Sequence, residues 1–282
     1  MALGKNGASA GKKNSAASKG ECQVIVVTSG KGGVGKTTTV ASVGAALAMR
    51  GKRVLVVDAD IGLRNLDVIL GLENRVVFHI VDVAKGVCKP HQALVRSKKS
   101  SNLFLLPASQ TDEKDVISEE EVRRIMGQYQ REFDFILVDS PAGIEQGFKN
   151  AVAGAKSALI VTTPEIPAIR DADRVIGLLS AEGIESRLVV NRVDFQMVRR
   201  GDMLSIEDVE EILGIPLIGV VERDEGVIVA ANCGEPVVYN NKTRAGEAFY
   251  RIAARLCGEQ LPFLYEENSS WLKRLSRRLG MY

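Results

Sequence analysis

The residues with the clearest chemical potential form a glycine-rich stretch, GKGGVGKT, at positions 30–37. The stretch satisfies the pattern G-x-x-x-x-G-K-[S/T], and it lies between an apolar run typical of a buried strand and a segment of helical character. Its glycines let the backbone curl so that successive N–H groups point inward at phosphate oxygens, beside the positive end of the helix. We therefore predict a phosphate-binding loop, with nucleotide contacts from Gly30, Lys31, Gly32, Gly33, Val34, Gly35, Lys36, Thr37 and Thr38.

Two side chains of this loop suit a bound nucleoside triphosphate. Lys36 is expected to bridge the β- and γ-phosphates. The hydroxyl of Thr37 is expected to bind Mg²⁺, which prefers an octahedral shell of oxygen ligands. A glycine-rich turn without any ligand is the alternative, but Lys31, Lys36 and the hydroxyl would have no use in such a turn. The pattern favours a nucleotide site.

The elements that must position this loop are short apolar runs that alternate with helical segments. This alternation is typical of a parallel sheet covered by helices on both faces, so the predicted fold class is α/β, with a doubly wound and mainly parallel sheet. Helix boundaries are predicted at Gly51, which would end a helix over residues 37–50, and at two capping pairs, Ser118 with Glu121 and Ser205 with Asp208. The predicted strands are residues 24–28, 54–58, 135–139, 158–163, 187–190 and 217–221.

The two ends of the chain lack this alternation. Residues 1–22 carry lysines among Gly, Ala, Ser and Asn, and a stretch of this composition cannot pack a core. We predict a disordered N-terminal extension there; the remnant of an organelle-targeting peptide, which is also poor in acids and rich in serine, is the alternative. The domain that carries the phosphate-binding loop would then span residues 23–264, followed by a linker and a helix over residues 265–282.

Composition narrows the possible classes of function. The formal net charge is only +2, with 26% charged residues, so global charge gives no sign of a dedicated nucleic-acid binder. The four cysteines lack C-x-x-C spacing, which argues against a zinc site, an iron–sulfur site and a disulfide framework. The two histidines match no metal-ligand pattern, and no apolar run reaches the length of a membrane-spanning helix.

Several motifs resemble one known family. KGGVGKTT, with a second lysine at Lys31, is similar to the deviant Walker A loop of the ParA/MinD superfamily of P-loop ATPases. Within that superfamily the chain most resembles the MinD family, whose members position division sites in bacteria and plastids. The similarity runs from about residue 24 to residue 263 and again at the C-terminus. It is carried by the segments VVDADIGLRNLD, ILVDSPAGIE, RDADRVIGLL, VVNRV and RGDMLSIEDV.

The resemblance implies hydrolysis of ATP to ADP and phosphate, with Mg²⁺ as cofactor and with Lys31, Lys36 and Asp60 as catalytic residues. Lys31 would reach across an ATP-dependent homodimer to the partner's phosphates, in the part that an arginine finger plays elsewhere. Asp60 matches the residue that orients the attacking water.

Metal binding is implied for two further acids. Asp58 and Asp139 match residues that hold the Mg²⁺ shell together with Thr37, through water. An acid at the end of a strand can also simply cap the helix that follows, which is the alternative for either acid taken alone.

Loops that sense the γ-phosphate and residues that read the base are also implied by the resemblance. Asn191, followed by Arg192, matches the position whose side-chain amide reads adenine, although an Asn there can also be an ordinary turn residue. Glu222 departs from the family, because many relatives have proline at this position. The two predicted switch loops contain Gly62, Arg64 and Asn65, and Pro141 and Gly143.

The C-terminal residues 269–282, SSWLKRLSRRLGMY, have the pattern of an interfacial amphipathic helix. At about 100° per residue, the apolar residues share one face and the cations the other. A helix docked on the protein's own surface, or in a cleft of another protein, is the alternative. We favour anionic lipid, with a membrane-binding set of Trp271, Leu272, Lys273, Arg274, Leu275, Arg277, Arg278 and Leu279.

The predicted function is a membrane-associating ATPase that positions the division site. The resemblance implies that its ATP-bound dimer recruits a MinC-like division inhibitor and that hydrolysis, stimulated by a MinE-like activator or an equivalent, releases it. A ParA-type DNA-partitioning ATPase and a MinD-like regulator of flagellar number are the alternatives. The amphipathic tail favours the first function, with no nucleic-acid partner. The expected location is the cytoplasm and the cytoplasmic face of the inner membrane, with the plastid stroma as alternative.

Overall fold

The computed structural model describes residues 21–113, 116–240 and 242–263. The predicted membrane helix within residues 269–282, and residues 1–20 of the N-terminal extension, lie outside the described residues. Among the helices of the described segments, none has the length and apolarity needed to cross a membrane.

One mixed sheet forms the centre of the described part of the chain. Its strands are β1 (Gln23–Thr28), β2 (Val54–Asp58), β3 (Val95–Arg96), β4 (Leu103–Leu106), β5 (Phe135–Asp139), β6 (Ser157–Thr162), β7 (Glu185–Val193) and β8 (Leu217–Glu222). They are ordered β3-β4-β2-β5-β1-β6-β7-β8. All neighbouring pairs are parallel except β3 and β4, which are antiparallel. The predicted doubly wound, mainly parallel α/β fold is confirmed.

Helices cover both faces of this sheet. In the described residues they are α1 (Lys36–Met49), α2 (Leu66–Ile69), α3 (Ile80–Ala84), α4 (Glu119–Tyr129), α5 (Gln146–Val152), α6 (Ile166–Ala181), α7 (Phe195–Arg200), α8 (Ile206–Leu213), α9 (Gly226–Asn232) and α10 (Arg244–Leu256).

The strands divide the apolar core into two layers. Successive side chains of a strand point to opposite faces, so Val24 and Val26 pack in one layer while Ile25 and Val27 pack in the other. The first layer includes residues of α4, α5, α6 and α8, and the second includes residues of α1 and α10. Burial of both faces explains why the inner strands are continuously apolar.

The predicted elements agree closely with the structure. Each predicted strand is present, and the side chains of Ser118 and Ser205 accept the backbone N–H groups of Glu121 and Asp208, as the capping boxes require. Helix α1 begins one residue earlier than predicted, at Lys36. Strands β3 and β4 were not predicted, since each is very short, and β7 continues through a bulge to Val193.

The sheet order places the chemistry at one edge. Strands β2, β5 and β1 are adjacent and parallel, so their carboxyl ends meet. Asp58 ends β2, Asp139 ends β5, and the phosphate-binding loop follows β1. Ligands of open α/β sheets bind at this edge.

Candidate nucleotide-binding site

Close packing against other elements shapes the phosphate-binding loop (residues 30–37). A Cβ atom built on Gly30 would lie 2.2 Å from the backbone oxygen of Asp171 in α6. Gly35 has a left-handed backbone (φ 103°), and a Cβ there would lie 2.3 Å from Nδ2 of Asn191. Gly33 is also left-handed, with φ 77°. Glycine is therefore required at these points by contact or by conformation, as the sequence pattern predicts.

Lys36 is the buried cation of the site. It is the first residue of α1, and only 8% of its surface is exposed. Its Nζ donates a hydrogen bond to Oγ of Ser29 at 3.0 Å, and that hydroxyl donates to the carbonyl of Lys31 at 2.7 Å. Burial lowers the pKa of Lys36, while the charges of Asp139 and Asp60 oppose this shift. The lysine thus lies within electrostatic reach of both acids.

Thr37, Asp58 and Asp139 meet beside the loop. Asp58 and Asp139 are register partners on β2 and β5, and they are 1% and 2% exposed. The Thr37 side chain lies close enough to Asp139 to interact with its carboxyl group and lower the pKa of that group. Oδ1 of Asp139 is buried and has no hydrogen-bond partner among the described residues. A hydroxyl beside paired carboxylates is an oxygen donor set that suits Mg²⁺.

Burial changes the acidity of both carboxyl groups. Desolvation is the main cause that raises the pKa of Asp58 to about 7, with the nearby charges of Asp60 and Asp67 adding to it and backbone N–H groups opposing it. The pKa of Asp139 is raised well above its usual range by desolvation and by the charge of Asp58. A divalent cation between them would relieve this repulsion.

The loop that follows β2, residues 58–66, is called here the acid-bearing loop. Asp58 holds both of its ends, because Oδ1 accepts the N–H of Asp60 at 3.0 Å and Oδ2 accepts the N–H of Leu66 at 3.1 Å. The capping role weighed for Asp58 is therefore present, and each oxygen retains a lone pair for another contact. Metal binding by Asp58 stays a prediction.

Backbone conformation within the acid-bearing loop is unusual. Arg64 is left-handed with φ 43°, a region that costs an arginine about 1–3 kcal/mol. Gly62, with φ 94°, donates its N–H to the carbonyl of Ser109 at 2.8 Å. Asn65 precedes α2 but makes no side-chain cap. These three predicted switch residues lie in one tightly folded segment.

The second predicted switch loop follows β5, which lies between β2 and β1, so it starts between the acid-bearing loop and the phosphate-binding loop. The N–H of Ser140 donates to the carbonyl of Val27, which fixes the start of this loop against β1. Pro141 is buried, and Gly143 is left-handed with φ 90°. A Cβ atom on Gly32 would lie 3.8 Å from that of Ala142. The two predicted switch loops therefore follow neighbouring strands on the same side of β1.

Lys31 differs from the other lysine of the motif. Its side chain is 47% exposed, and its Nζ lies 3.9 Å from a carboxylate oxygen of Glu165. An exposed pair of this length contributes little to stability. The side chain is free to move to another partner at small cost.

Asn191 supports the phosphate-binding loop, a role that the sequence did not reveal. Its Nδ2 donates to the carbonyl of Val34 at 2.7 Å, and its Oδ1 accepts the N–H of Arg192 at 2.9 Å. Asn191 is 7% exposed and lies within β7, whereas Arg192 is exposed and left-handed with φ 57°. The reading of a base by Asn191 stays a prediction.

Glu222, at the end of β8, pairs with Arg244 at 2.8 Å. The adjacent turn is held by Asp224, whose oxygens accept the N–H groups of Gly226 at 2.7 Å and Ala245 at 3.1 Å. These contacts join the end of β8 to the start of α10.

Comparison with known proteins agrees with this geometry. Residues 25–237 match the family described as the CobQ/CobB/MinD/ParA nucleotide binding domain. The septum site-determining protein MinD of Bacillus subtilis (strain 168) is 50% identical over 264 residues, which covers 92% of this chain and 98% of that relative.

Two solved structures have the same fold. A chain of the MinC:MinD cell division protein complex of Aquifex aeolicus matches with a TM-score of 0.81 and 50% identity, covering 86% of this chain and 98% of that one. The septum site-determining protein MinD complexed with Mg-ADP from Pyrococcus horikoshii OT3 matches with a TM-score of 0.77 and 28% identity, covering 83% and 96%. This chain therefore belongs to the CobQ/CobB/MinD/ParA family and, within it, to the MinD septum site-determining proteins.

Proposed function

We propose that this protein is a Mg²⁺-dependent ATPase that acts in determining the site of cell division. The observation that carries the proposal is the meeting of a buried lysine, Lys36, with the Thr37–Asp139 pair at the end of the phosphate-binding loop. Burying a charge is costly, and a turn that only joined a strand to a helix would have no use for these groups. The Mg-ADP complex of the Pyrococcus relative supports the same ligand class.

Each residue has a defined part in the proposed reaction. The backbone N–H groups of the phosphate-binding loop would hold the phosphates, and Lys36 would exchange its bond to Ser29 for one to a phosphate oxygen. Thr37, Asp58 and Asp139 would hold Mg²⁺, which neutralises charge on the phosphates when it is bound. Asp60 would accept a hydrogen bond from a water and orient its oxygen toward the γ-phosphorus. As that oxygen bonds to the phosphorus, the bond from the phosphorus to the terminal oxygen of ADP breaks, and the inorganic phosphate leaves with the protons of the water.

The role of Asp60 can be separated from nucleotide binding. Asp60→Ala should retain ATP affinity within about threefold and lose most of the turnover, because orienting water contributes to the transition state and little to the ground state. Calorimetry and phosphate release would measure the two quantities, with Glu211→Ala, an exposed acid of α8, as the matched control. Normal turnover of Asp60→Ala would contradict the assignment.

ATP is proposed to join two copies of the chain. Lys31 is an exposed residue of the phosphate-binding loop and is weakly held by Glu165, so it can reach the phosphates of a second subunit. Lys31→Ala should therefore remain monomeric with ATP in sedimentation, under conditions where Asp60→Ala forms a stable dimer.

The dimer is proposed to control membrane binding through residues 269–282. Each tail offers four apolar residues and four cations, so one copy should bind anionic lipid weakly and reversibly. In a dimer the second tail binds at a high effective concentration, and avidity can rise by ~10²–10⁴-fold without a new contact. The membrane-bound dimer would recruit a MinC-like inhibitor, consistent with the MinC:MinD complex of the Aquifex relative. Hydrolysis, stimulated by a MinE-like activator or an equivalent, would release it.

Vesicle sedimentation tests this cycle. The wild-type protein should sediment with anionic vesicles when ATP is present, and much less with ADP or without nucleotide. Asp60→Ala should stay on the vesicles with ATP, whereas Lys31→Ala, Leu275→Glu and removal of residues 269–282 should leave the protein in the supernatant. Equal sedimentation of the wild type with ATP and ADP would contradict the switch, and binding to DNA in place of vesicles would favour the partitioning alternative.

A further inference from the structure

A buried ion pair closes the acid-bearing loop, and the proposed reaction does not use it. Nε of Arg64 lies 2.8 Å from Oδ2 of Asp67, the second residue of α2; the two atoms are not aligned for a hydrogen bond, so the contact is an ion pair held by charge. The Asp67 side chain is 0% exposed and that of Arg64 is 14% exposed. Because the two residues are three positions apart, the pair ties the end of the loop to the first turn of the helix.

This pair acts on a strained turn. The N–H groups of Leu63 and Arg64 both lie 3.2 Å from the carbonyl oxygen of Asp60, so the turn folds back onto that residue. Arg64 completes the turn in the left-handed region, which arginine rarely adopts unless its surroundings hold it there. The ion pair favours this backbone conformation, because the buried Asp67 carboxylate attracts the Arg64 guanidinium and keeps it close.

Asp58 provides a second hold on the same turn, but of a different kind. Its carboxylate accepts the N–H groups of Asp60 and Leu66, at the two ends of the turn. Asp58 is also a proposed Mg²⁺ ligand, so its oxygens are shared between the loop and the metal site. The Arg64–Asp67 pair has no such second duty in the proposed reaction.

We infer that Arg64 and Asp67 are positioning residues for hydrolysis: their ion pair holds the turn of residues 60–64 so that the Asp60 side chain faces the phosphate-binding loop. Asp60 already lies close enough to Lys36 for its charge to act on that lysine. The inference rests on the proposed ATPase function. It predicts that loss of the pair lowers turnover while nucleotide binding, which depends on the other loop, is retained.

The test uses the full chain and compares kcat with KM. Asp67→Asn keeps the shape of the side chain and removes its charge; kcat should fall at least about tenfold, with KM for ATP changed less than about twofold. Arg64→Gly suits the left-handed backbone and removes the cation, and it should show the same split. Arg64→Lys, which keeps the charge, should recover part of the kcat.

A double-mutant cycle separates positioning from general damage. If the two residues act as one pair, Arg64→Gly with Asp67→Asn should lower kcat no further than either change alone. Glu119→Gln, which removes an exposed ion pair with Arg123 in α4, is the matched control and should leave kcat unchanged.

Three outcomes would overturn the inference. Unchanged kcat in a folded Asp67→Asn protein would do so, as would full activity of Arg64→Gly, which would mean that only the backbone conformation matters. A rise in KM equal to the fall in kcat would point to general loosening of the fold. If the wild-type protein hydrolyses ATP, any of these results leaves the proposed ATPase function intact. If the wild-type protein has no turnover, both the proposed function and this inference are wrong.

Discussion

The phosphate-binding loop and the acid-bearing loop flank one site but are held in different ways. Packing and backbone contacts hold the first: Gly30 lies against the backbone of Asp171, and the carbonyl of Val34 accepts from Asn191. Charged side chains hold the second, through the carboxylate of Asp58 and the ion pair of Arg64 with Asp67.

This difference bears on how the two loops can respond to a ligand. A loop fixed by close packing is ready to bind phosphate and changes little, because packed interiors do not deform continuously. A loop fixed by charges is sensitive to any new charge placed beside it, such as a γ-phosphate or Mg²⁺. We expect the phosphate-binding loop to govern affinity and the acid-bearing loop to govern turnover and switching.

The largest effect is expected at the buried cation. Lys36→Ala should weaken ATP binding at least about 100-fold, because removing one member of a buried ionic group costs about 3–5 kcal/mol. Calorimetric titration with ATP would measure it, and Lys149→Ala, an exposed lysine of α5, is the control. If the ATP affinity of Lys36→Ala stayed within about threefold of that of the wild type, the expectation that the phosphate-binding loop governs affinity would be wrong.

Packing of the phosphate-binding loop can be tested with two of its own glycines. Gly30→Ala should destabilise the protein by about 3 kcal/mol, because its Cβ would lie 2.2 Å from a backbone atom that cannot easily move. Gly32→Ala should cost less than about 1 kcal/mol, since its Cβ would lie 3.8 Å from the Cβ of Ala142, an ordinary van der Waals contact. Urea denaturation of both variants, giving similar losses, would contradict the packing argument.

The sequence predicted the fold well because its strands are buried on both faces. Runs such as VLVVD and FILVD are continuously apolar, and this signal does not depend on distant contacts. Strands β3 and β4 have two and four residues, too short for a clear periodicity; β4 pairs with β2, and β3 pairs with β4. Their presence is a consequence of the assembled sheet.

The candidate site was predicted less evenly. The phosphate-binding loop, Asp58 and Asp139 follow from a motif and from strand ends, which are local features. The support given by Asn191 to Val34 joins residues 157 positions apart, and no local pattern records such a contact. The ion pair of Asp67 could not be predicted either, since an acid in the first turn of a helix is usually explained by its favourable interaction with the helix dipole.

The contact between Asn191 and Val34 gives the next prediction. Asn191→Ala should destabilise the protein by about 2 kcal/mol, because it leaves a buried carbonyl without a partner. Urea denaturation would measure the loss, and ATP affinity should fall with it, because the loop loses support. A loss under about 0.5 kcal/mol would show that Asn191 does not hold the loop.

A smaller effect than that of Gly30→Ala is expected at a glycine of the acid-bearing loop. Gly62 has φ 94°, but a Cβ atom there would meet nothing within 4 Å. Gly62→Ala should therefore cost about 1–2 kcal/mol from backbone strain alone, without the collision that Gly30→Ala brings. Urea denaturation of the two variants, measured side by side, would separate strain from collision.

A matched control is Gly127→Ala in α4, where a Cβ atom also has open space and the backbone is helical. That change should stabilise the protein by about 0.5–1 kcal/mol, because alanine is the better helix former. If Gly62→Ala were as damaging as Gly30→Ala, the acid-bearing loop would be packed as rigidly as its neighbour. If Gly62→Ala lowered turnover more than its small cost in stability explains, while Gly127→Ala did not, charge-held geometry in this loop would be what sets the rate.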